Sequence, residues 1–536
     1  SNRGMGTSYA KNAVDKYTMF TLENMLFYDK TFNDKHTLGV TLLQSIQEDK
    51  RESVNVAMEN LPADNLKYYD LGSGLVTNTI GSAMVKWNMA SFMGRINYNY
   101  LGRYLLTVSA RYDGSSRLAD GHKWVLFPSA ALAWRINEES FMSSTSGWLD
   151  NLKLRLGFGK TGNSAVDPYQ TKGTLSLIRY PFDNGGTPTI GYAPNAMANS
   201  LLTWETTDQW NLGIDFGVLR GRINGTIDLY MQNTHDLLLK RQLPVVSGFP
   251  DVLSNVGKTR NKGIEVSINS MNINSKDFQW TTDLMLSSNK EEIVELYNGK
   301  NDDIGSKWFI GQPVNVHYDY RKVGIWQNTE SDLAEMAKFA ANGTEFAPGD
   351  IKIQDVNGDY KITDADKQIL GNPRPKLIAS MVNTFNYKGF DLSVFLYASF
   401  GAMLYNDIYA VEHCGRNGGV KVDYWTPNNP TNAYPRPSID EERPIYITST
   451  YYEKADFLRV KTMTLGYTLP KTLTNKFLVE KLRVYFTAQN PFIFTNYTGI
   501  DPEAAKVNSA GNPETNGSGF GTPSVSSWIF GINLTL

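Results

Sequence analysis

Residues 91–113 read SFMGRINYNYLGRYLLTVSARYD, and this stretch decides the fold. Apolar and polar residues alternate on both sides of a short connection that contains a glycine. Phe92 and Ile96 share one face, whereas Arg95 and Asn97 share the other, because successive side chains of a strand point to opposite faces. The stretch therefore predicts a β-hairpin whose two long strands have one apolar and one polar face.

The same alternation recurs along the chain and predicts about 15 strands. They are placed at 17–29, 36–48, 88–100, 103–113, 126–137, 150–161, 206–218, 222–234, 260–271, 277–290, 375–387, 389–402, 455–468, 478–494 and 523–536. Most are long, like the roughly 9 to 11 residues that a tilted membrane strand needs and unlike the roughly 5 to 6 of an ordinary strand.

Short and long connections alternate between these strands. The connection at Tyr100–Arg103 is short, whereas residues 291–374 form a very long one. Short turns at one end and long loops at the other are typical of outer-membrane barrels. We therefore predict that residues 1–536 form an all-β, antiparallel transmembrane β-barrel with short periplasmic turns, and that 291–374 is an extracellular loop.

Composition excludes several other classes of protein. The 52 Lys and Arg residues nearly balance the 54 Asp and Glu residues, so the charge gives no reason to expect nucleic acid as a partner. A single cysteine, Cys414, excludes an internal disulfide framework and cysteine-based zinc clusters. Five scattered His residues leave little room for a nucleophile–base pair, so we do not expect an enzyme.

The odd strand count carries a further expectation. Bacterial single-chain barrels have an even number of strands. An open sheet edge in lipid is not viable, because each unpaired backbone group there costs several kcal/mol. We therefore expect that residues 1–536 are the C-terminal part of a larger barrel and cannot close it without preceding chain.

A series of short motifs, in a fixed order, resembles the C-terminal barrel portion of SusC/RagA-type TonB-dependent outer-membrane transporters. The motifs are Tyr112–Arg117, Phe127–Ser129, Ala133–Trp134, Leu152–Arg155, Lys160–Asn163, Trp204–Glu205, Asn261–Glu265, Gly324–Gln327, Gly349–Lys352, Gly371–Pro375, Leu458–Lys461, Gln489–Asn490 and Asp501–Glu503. Any one of them is weak, but the ordered series covers nearly the whole chain.

The resemblance implies a barrel of about 22 strands, of which about 15 are present here. It also implies an N-terminal plug, energy supplied by TonB through that absent N-terminal part, and a SusD-like surface lipoprotein that acts as a lid. The implied function is active uptake of oligosaccharides, or of other nutrient oligomers such as peptides, across the outer membrane. A passive outer-membrane channel and a soluble β-rich glycan-binding or glycan-cleaving protein are the alternatives.

Residues 355–366 fit the pattern of a structural calcium loop, because oxygen-bearing side chains recur at alternate positions. The residues that would ligate Ca²⁺ are Asp355, Asn357, Asp359, Lys361 through its carbonyl group, Thr363 and Asp366. Two departures weaken the match. Tyr360 stands where the sharp turn favours Gly, and Asp366 stands where Glu is usual. The alternative is an Asn-Gly-Asp turn without metal.

Aromatic residues concentrate in the long loops, where flat rings with polar edges suit sugar or peptide ligands. The candidates are Trp308, Tyr318, Tyr320, Trp326, Tyr424, Trp425 and Tyr434, with Tyr446 beside them. The alternative for each ring is packing within the loops. Charged residues such as Arg95, Arg111 and Asp113 should face the lumen. A short helix is predicted at Ser331–Ala341, with Ser331 as its N-cap.

Overall fold

The computed structural model describes residues 8–62, 65, 67–182, 189–406, 422–437, 444–474, 476, 479–503 and 523–536; Cys414 lies outside these ranges. Its strands are β1 Tyr9–Phe32, β2 His36–Glu59, β3 Val76–Tyr100, β4 Tyr104–Ser115, β5 Trp124–Arg135, β6 Leu149–Asn163, β7 Thr174–Tyr180, β8 Thr189–Ala196, β9 Glu205–Val218, β10 Ile223–His235, β11 Leu238–Gln242, β12 Asp251–Asn255, β13 Lys258–Asn274, β14 Phe278–Glu295, β15 His317–Tyr320, β16 Lys322–Ile325, β17 Ile351–Ile353, β18 Lys367–Gly371, β19 Leu377–Tyr387, β20 Phe390–Phe400, β21 Met403–Tyr405, β22 Tyr452–Lys454, β23 Phe457–Thr468, β24 Lys481–Thr495 and β25 Ser527–Thr535. The helices are α1 Glu330–Ala341 and α2 Lys471–Thr474.

Fifteen of these strands form one large antiparallel sheet. Its order is β1-β2-β3-β4-β5-β6-β9-β10-β13-β14-β19-β20-β23-β24-β25. Each strand predicted from the sequence corresponds to one of them, so both the count and the fold class are confirmed. The remaining described strands pair into two-stranded sheets that belong to the connections. Sequence alternation did not predict them, because three to eight residues are too few for a periodic pattern.

The first three strands are much longer than predicted. β1 and β2 each have 24 residues and β3 has 25, and the pairing of β2 with β3 runs without a shift from His36↔Tyr100 to Ala57↔Thr79. The charged run at residues 48–52 hid the second half of β2, since charges on both faces interrupt the apolar alternation. Backbone pairing continues through this run, so these strands extend well past the segment that alternation marks.

Aromatic rows mark the membrane-facing side of strands β3 to β5. One row joins Tyr100, Tyr104 and Trp134, with neighbouring ring centroids 6.3 and 6.4 Å apart. The other row joins Phe92 with Trp124, at 6.3 Å. Eight residues of a tilted strand separate Phe92 from Tyr100, which gives about 20 Å, close to the roughly 25 Å apolar band between the aromatic girdles of such barrels.

The opposite face of the same strands is polar. Arg95, Arg111 and Asp113 lie on it, and the Arg111 guanidinium pairs with Asp113 at 2.7 Å and donates to Ser91 Oγ at 3.0 Å. The two faces therefore divide as the alternation predicted. Among the described residues, no helix is long and apolar enough to cross a membrane. By contacts the chain divides into two compact units, residues 1–135, 154–211 and 232–259, and residues 136–153, 212–231 and 260–536.

Candidate functional site

The long loop after β14 contains the predicted helix, observed as α1 at Glu330–Ala341. Its N-cap is Thr329 and not Ser331, which corrects the predicted cap. Thr329 has extended backbone and its Oγ1 accepts a hydrogen bond from Asp332 N at 3.3 Å, whereas Ser331 already lies in the first helical turn. Gly343 follows the helix end with φ of +86°.

The loops share a hydrophobic core of their own, formed by Ile325, Trp326, Met336, Phe339, Ile351, Ile353, Ile362, Trp425, Ile447 and Tyr451. Helix α1 contributes Met336 and Phe339, which are its buried residues. Trp326 is 0% exposed and Trp425 is 6% exposed. Packing is therefore the role of these two rings, and the prediction that they contact a ligand is corrected, because a buried ring has no free face.

The motifs Gly324–Gln327 and Gly349–Lys352 contribute residues to this core. Gln327 Nε2 donates to Ile325 O at 2.8 Å, and Gln327 Oε1 accepts from Trp425 Nε1 at 2.8 Å. Lys352 Nζ lies 4.0 Å from the centre of the Trp326 ring, a distance typical of a cation–π contact. Segments separated by about a hundred residues are thus joined by buried polar contacts, and the loops form a fixed framework.

The other predicted aromatic residues are spread over the loops. Tyr318 packs against Phe309 with ring centroids 4.8 Å apart, and Trp308 is half-buried. Tyr320 donates from its hydroxyl group to Asp364 Oδ1 at 3.3 Å; burial, followed by the charge of Asp364, raises the pKa of Tyr320 to about 12.

Tyr424 and Tyr434 occupy neighbouring segments of the loop that precedes β22. Trp425 N donates to Tyr434 O at 3.0 Å, and the Tyr424 side chain is 46% exposed. The seven predicted rings are therefore divided between the core and the surface, and the structure does not bring them onto one ligand-binding face.

A cavity of about 530 Å³ lies on this framework, with Phe346, Asp350, Arg436 and Tyr446 among its lining residues. Arg436 Nε donates to Asp350 Oδ1 at 2.9 Å, and the ring centroids of Phe346 and Tyr446 are 6.3 Å apart. Tyr446 has φ of +62°, which is uncommon for a residue with a side chain and is often found at functional sites. Aromatic faces beside a charged pair suit a ligand that carries both rings and hydrogen-bonding groups.

Sequence reasoning did not find Phe346 or Arg436 as candidate site residues. Arg436 is 86 residues from Asp350 in the chain, and its backbone pairs with Gly349, the residue next to Asp350. Arg436 N donates to Gly349 O at 2.8 Å, which sets this approach. Local sequence contains no signal for such a long-range pair.

The predicted calcium loop is closed by Asp355, whose Oδ1 accepts from Gly358 N at 2.7 Å and whose Oδ2 accepts from Tyr360 N at 2.8 Å. Tyr360 adopts φ of +56°, so the position that favours Gly takes the left-handed backbone despite its side chain. Asp366 is fully buried, and its Oδ2 accepts from Thr363 N at 2.8 Å.

The remaining predicted ligands lie in the same turn. Asn357 Oδ1 accepts from Asp359 N at 3.1 Å, and Asp359 Oδ1 accepts from Lys361 N at 2.8 Å. Within the described ranges, no group of three or more His, Cys, Asp or Glu side chains lies closely enough together to hold a metal ion. The oxygen donors suit a hard cation by their chemistry, and calcium binding stays a prediction.

A buried ion network joins two further motifs at the base of the loop after β24. Arg459 donates a hydrogen bond to Asp501 at 2.6 Å, and Lys461 donates one to Glu503 at 2.6 Å. A second guanidinium nitrogen of Arg459 lies 2.6 Å from Glu503 as an ion pair without hydrogen-bond geometry. Asp501 also accepts from Ser524 N at 2.9 Å. Burial by itself would raise the pKa of Asp501, but the backbone N–H groups of Glu503 and Ser524, with Arg459, hold the pKa below its ordinary value.

A large antiparallel sheet with an apolar and a polar face, whose strands are joined by alternating short and long connections, defines an outer-membrane β-barrel protein. The family model for the TonB dependent receptor-like β-barrel matches residues 2–491. The chain therefore belongs to the TonB-dependent receptor-like β-barrel family, and the resemblance to the SusC/RagA type is confirmed.

The comparisons include curated relatives and solved structures. TonB-dependent receptor P3 of Formosa agariphila is 32% identical over 531 residues, which is 96% of this chain and 52% of the relative. TonB-dependent receptor SusC of Bacteroides thetaiotaomicron is 35% identical over 434 residues, 77% of this chain and 41% of the relative. The RagAB peptide transporter superposes with a TM-score of 0.81 at 22% identity, over 98% of this chain and 56% of that chain. The chain thus spans about half the length of the curated relatives it matches.

Proposed function

We propose that the protein carries out active, TonB-dependent uptake of nutrient oligomers across the outer membrane. The observation that carries the proposal is the match of the receptor β-barrel model over residues 2–491, together with a sheet of the expected strand order. The relatives named above are TonB-dependent receptors, which supports an energised transporter over a passive channel. It also supports a transport role over an enzymatic one.

A SusD-like surface lipoprotein is the proposed partner on the outside. The proposal rests on the likeness to SusC and on the shared hydrophobic core of the loops. Loops that are packed together offer a stable surface on which a lid protein can dock and from which it can be released. TonB is the proposed partner on the inside, because the relatives named above are TonB-dependent receptors.

Oligosaccharides are the proposed substrate class. The cavity at Arg436 supports this choice, because its aromatic rings offer flat faces to sugar rings while the Arg436–Asp350 pair offers donors and acceptors to hydroxyl groups. The guanidinium group of Arg436 is about half exposed, so it remains accessible while it holds Asp350. Tyr424, which is also exposed, is a second candidate contact.

Uptake of labelled oligosaccharides by cells that express the native protein tests the function. We expect a protonophore that discharges the inner membrane to abolish uptake; uptake that persists without energy would establish a passive channel instead. Labelled oligopeptides in parallel test the substrate class. Arg436→Ala should lower oligosaccharide uptake, whereas Arg321→Ala, which removes an exposed loop arginine bonded to Gln368, should not.

A further inference from the structure

Strand β3 has an open edge beyond the end of β4. It pairs with β2 along its whole length, from Tyr100 to Val76, but its pairing with β4 ends at Met89↔Ser115. Residues 76–88 therefore have one hydrogen-bonded side and one side that no described strand covers. This part of β3 lies beyond the aromatic row at Phe92 and so outside the apolar band of the membrane.

The direction of the backbone groups along this edge can be assigned. Asn88 N donates to Ser116 Oγ at 2.9 Å and Asn88 O accepts from Ser116 N at 3.0 Å, so the groups of Asn88 face the open side. Lys86 N also faces it and donates to the Tyr169 hydroxyl at 3.2 Å. Both backbone groups of a strand residue point to the same side, and the side alternates from residue to residue.

Met84, Ser82 and Ile80 continue this series, because the register with β2 has no shift before Thr79. Their N–H and C=O groups, six in all by this alternation, point to the open side and have no partner among the described residues. The described residues thus supply partners for this edge as far as Lys86 and leave the next three residues that face it, Met84, Ser82 and Ile80, without partners.

Proteins usually protect such an edge with charged residues, proline or a covering segment. Residues 76–85 contain neither charge nor proline. Ile80 is 73% exposed and Met84 is 54% exposed, and both lie on the same face of the sheet as Phe92. Val54 lies between them on β2, opposite Ser82, and is 53% exposed, so an apolar patch adjoins the open edge.

We propose that the edge at Ile80–Met84 binds an extended polypeptide segment of a partner protein by strand addition. The alternating donors and acceptors at strand spacing match a polypeptide backbone, and neither a sugar nor a lipid reproduces that pattern. The neighbouring apolar patch selects a segment with apolar side chains at alternate positions. This surface is separate from the cavity at Arg436, so the inference does not depend on the substrate.

Hydrogen exchange of the native, detergent-extracted full-length protein tests the proposal. The probe is the synthetic peptide acetyl-Lys-Thr-Val-Thr-Val-Thr-Lys-amide, and the control is the same peptide with alternate backbone nitrogens methylated. We expect the unmodified peptide to slow exchange of the Ile80, Ser82 and Met84 amides at least tenfold and the methylated one to leave them unchanged. Equal effects of the two peptides, or no effect of either, would overturn the proposal.

Proline substitutions distinguish the N–H groups on the open side of β3 from those that pair with β2. Ser82→Pro removes only an N–H group on the open side, so it should abolish protection by the peptide while the amides that pair with β2 stay protected. Ala83→Pro removes an N–H group of the ladder and should expose it. Slow exchange at Ile80, Ser82 and Met84 before any peptide is added would show that the full-length protein or a second copy already covers the edge, and would also overturn the proposal.

Discussion

Replacing Gly349 by alanine should loosen the loop framework, and the structure gives the size of the effect. Gly349 has φ of +94°, and a Cβ atom there would lie 2.5 Å from Cε3 of Trp425 and 2.8 Å from Cβ of Arg436. The backbone strain costs about 1 to 3 kcal/mol, and forcing the methyl group into a packed core adds about 1 to 3 kcal/mol.

Gly343→Ala is the matched control. Gly343 has φ of +86°, but a Cβ atom there would meet nothing within 4 Å, so this variant carries the strain without the overlap. The difference between the two variants isolates the free-energy cost of the overlap, about 1 to 3 kcal/mol. This cost corresponds to about 5-fold to 150-fold faster amide exchange through local opening in Gly349→Ala than in Gly343→Ala. Hydrogen exchange of the peptides that cover 324–327 and 424–437 measures it. Equal exchange in the two variants would refute the packing argument.

Three further predictions concern ion pairs and the calcium loop. Arg459→Met should lower the free energy of unfolding by about 3 to 5 kcal/mol, because it leaves the buried Asp501 carboxylate without its cation, while Glu503 keeps Lys461; thermal unfolding in detergent measures this, and a loss below about 1 kcal/mol would contradict it. The lowered pKa of Asp501 means that its stabilisation is present at neutral pH and is lost as the pH falls through that lowered pKa; the stability gap to Asp501→Asn should therefore close on acidification, and a constant gap would count against it. Millimolar Ca²⁺ should slow exchange of residues 355–366, and Asp355→Asn should abolish the effect; calorimetry without a binding heat would disprove the calcium site.

The strands of the large sheet could be predicted from the sequence because the two faces of each strand lie in different environments, one apolar and one polar. Phe92 and Ile96 face lipid while Arg95 faces the polar side, so the alternation records the environment directly. The same reasoning explains why β2 was predicted too short, since its outer half lies beyond the membrane. Both of its faces meet water there, and the charged residues Glu48 to Glu52 follow no alternation although backbone pairing continues.

The loops could be predicted only where a contact is local. Helix α1 was found from its own residues, since its caps and first turn lie within a few positions of one another. The burial of Trp326 and Trp425 depends on Gln327 and on segments about a hundred residues away, and nothing near either ring indicates which side it packs. An aromatic residue in a loop therefore predicts an apolar contact but not whether a ligand or the protein supplies it.

Three of the motifs that carried the family resemblance contain residues that hold the loops together. Gly349 admits the close approach of Trp425, Gln327 joins two loop segments, and Arg459 fixes the base of a third. The cavity residues Arg436 and Tyr446 lie outside these motifs, whereas Asp350, which pairs with Arg436, lies within Gly349–Lys352. A resemblance that rests on such residues indicates how the loops are held together and therefore the class of transporter. It does not indicate the ligand, because different side chains on the same framework can bind different ligands. Residues between the motifs, such as Arg436, are therefore the first place to look for substrate selectivity, and the uptake comparison of Arg436→Ala with Arg321→Ala tests one of them directly.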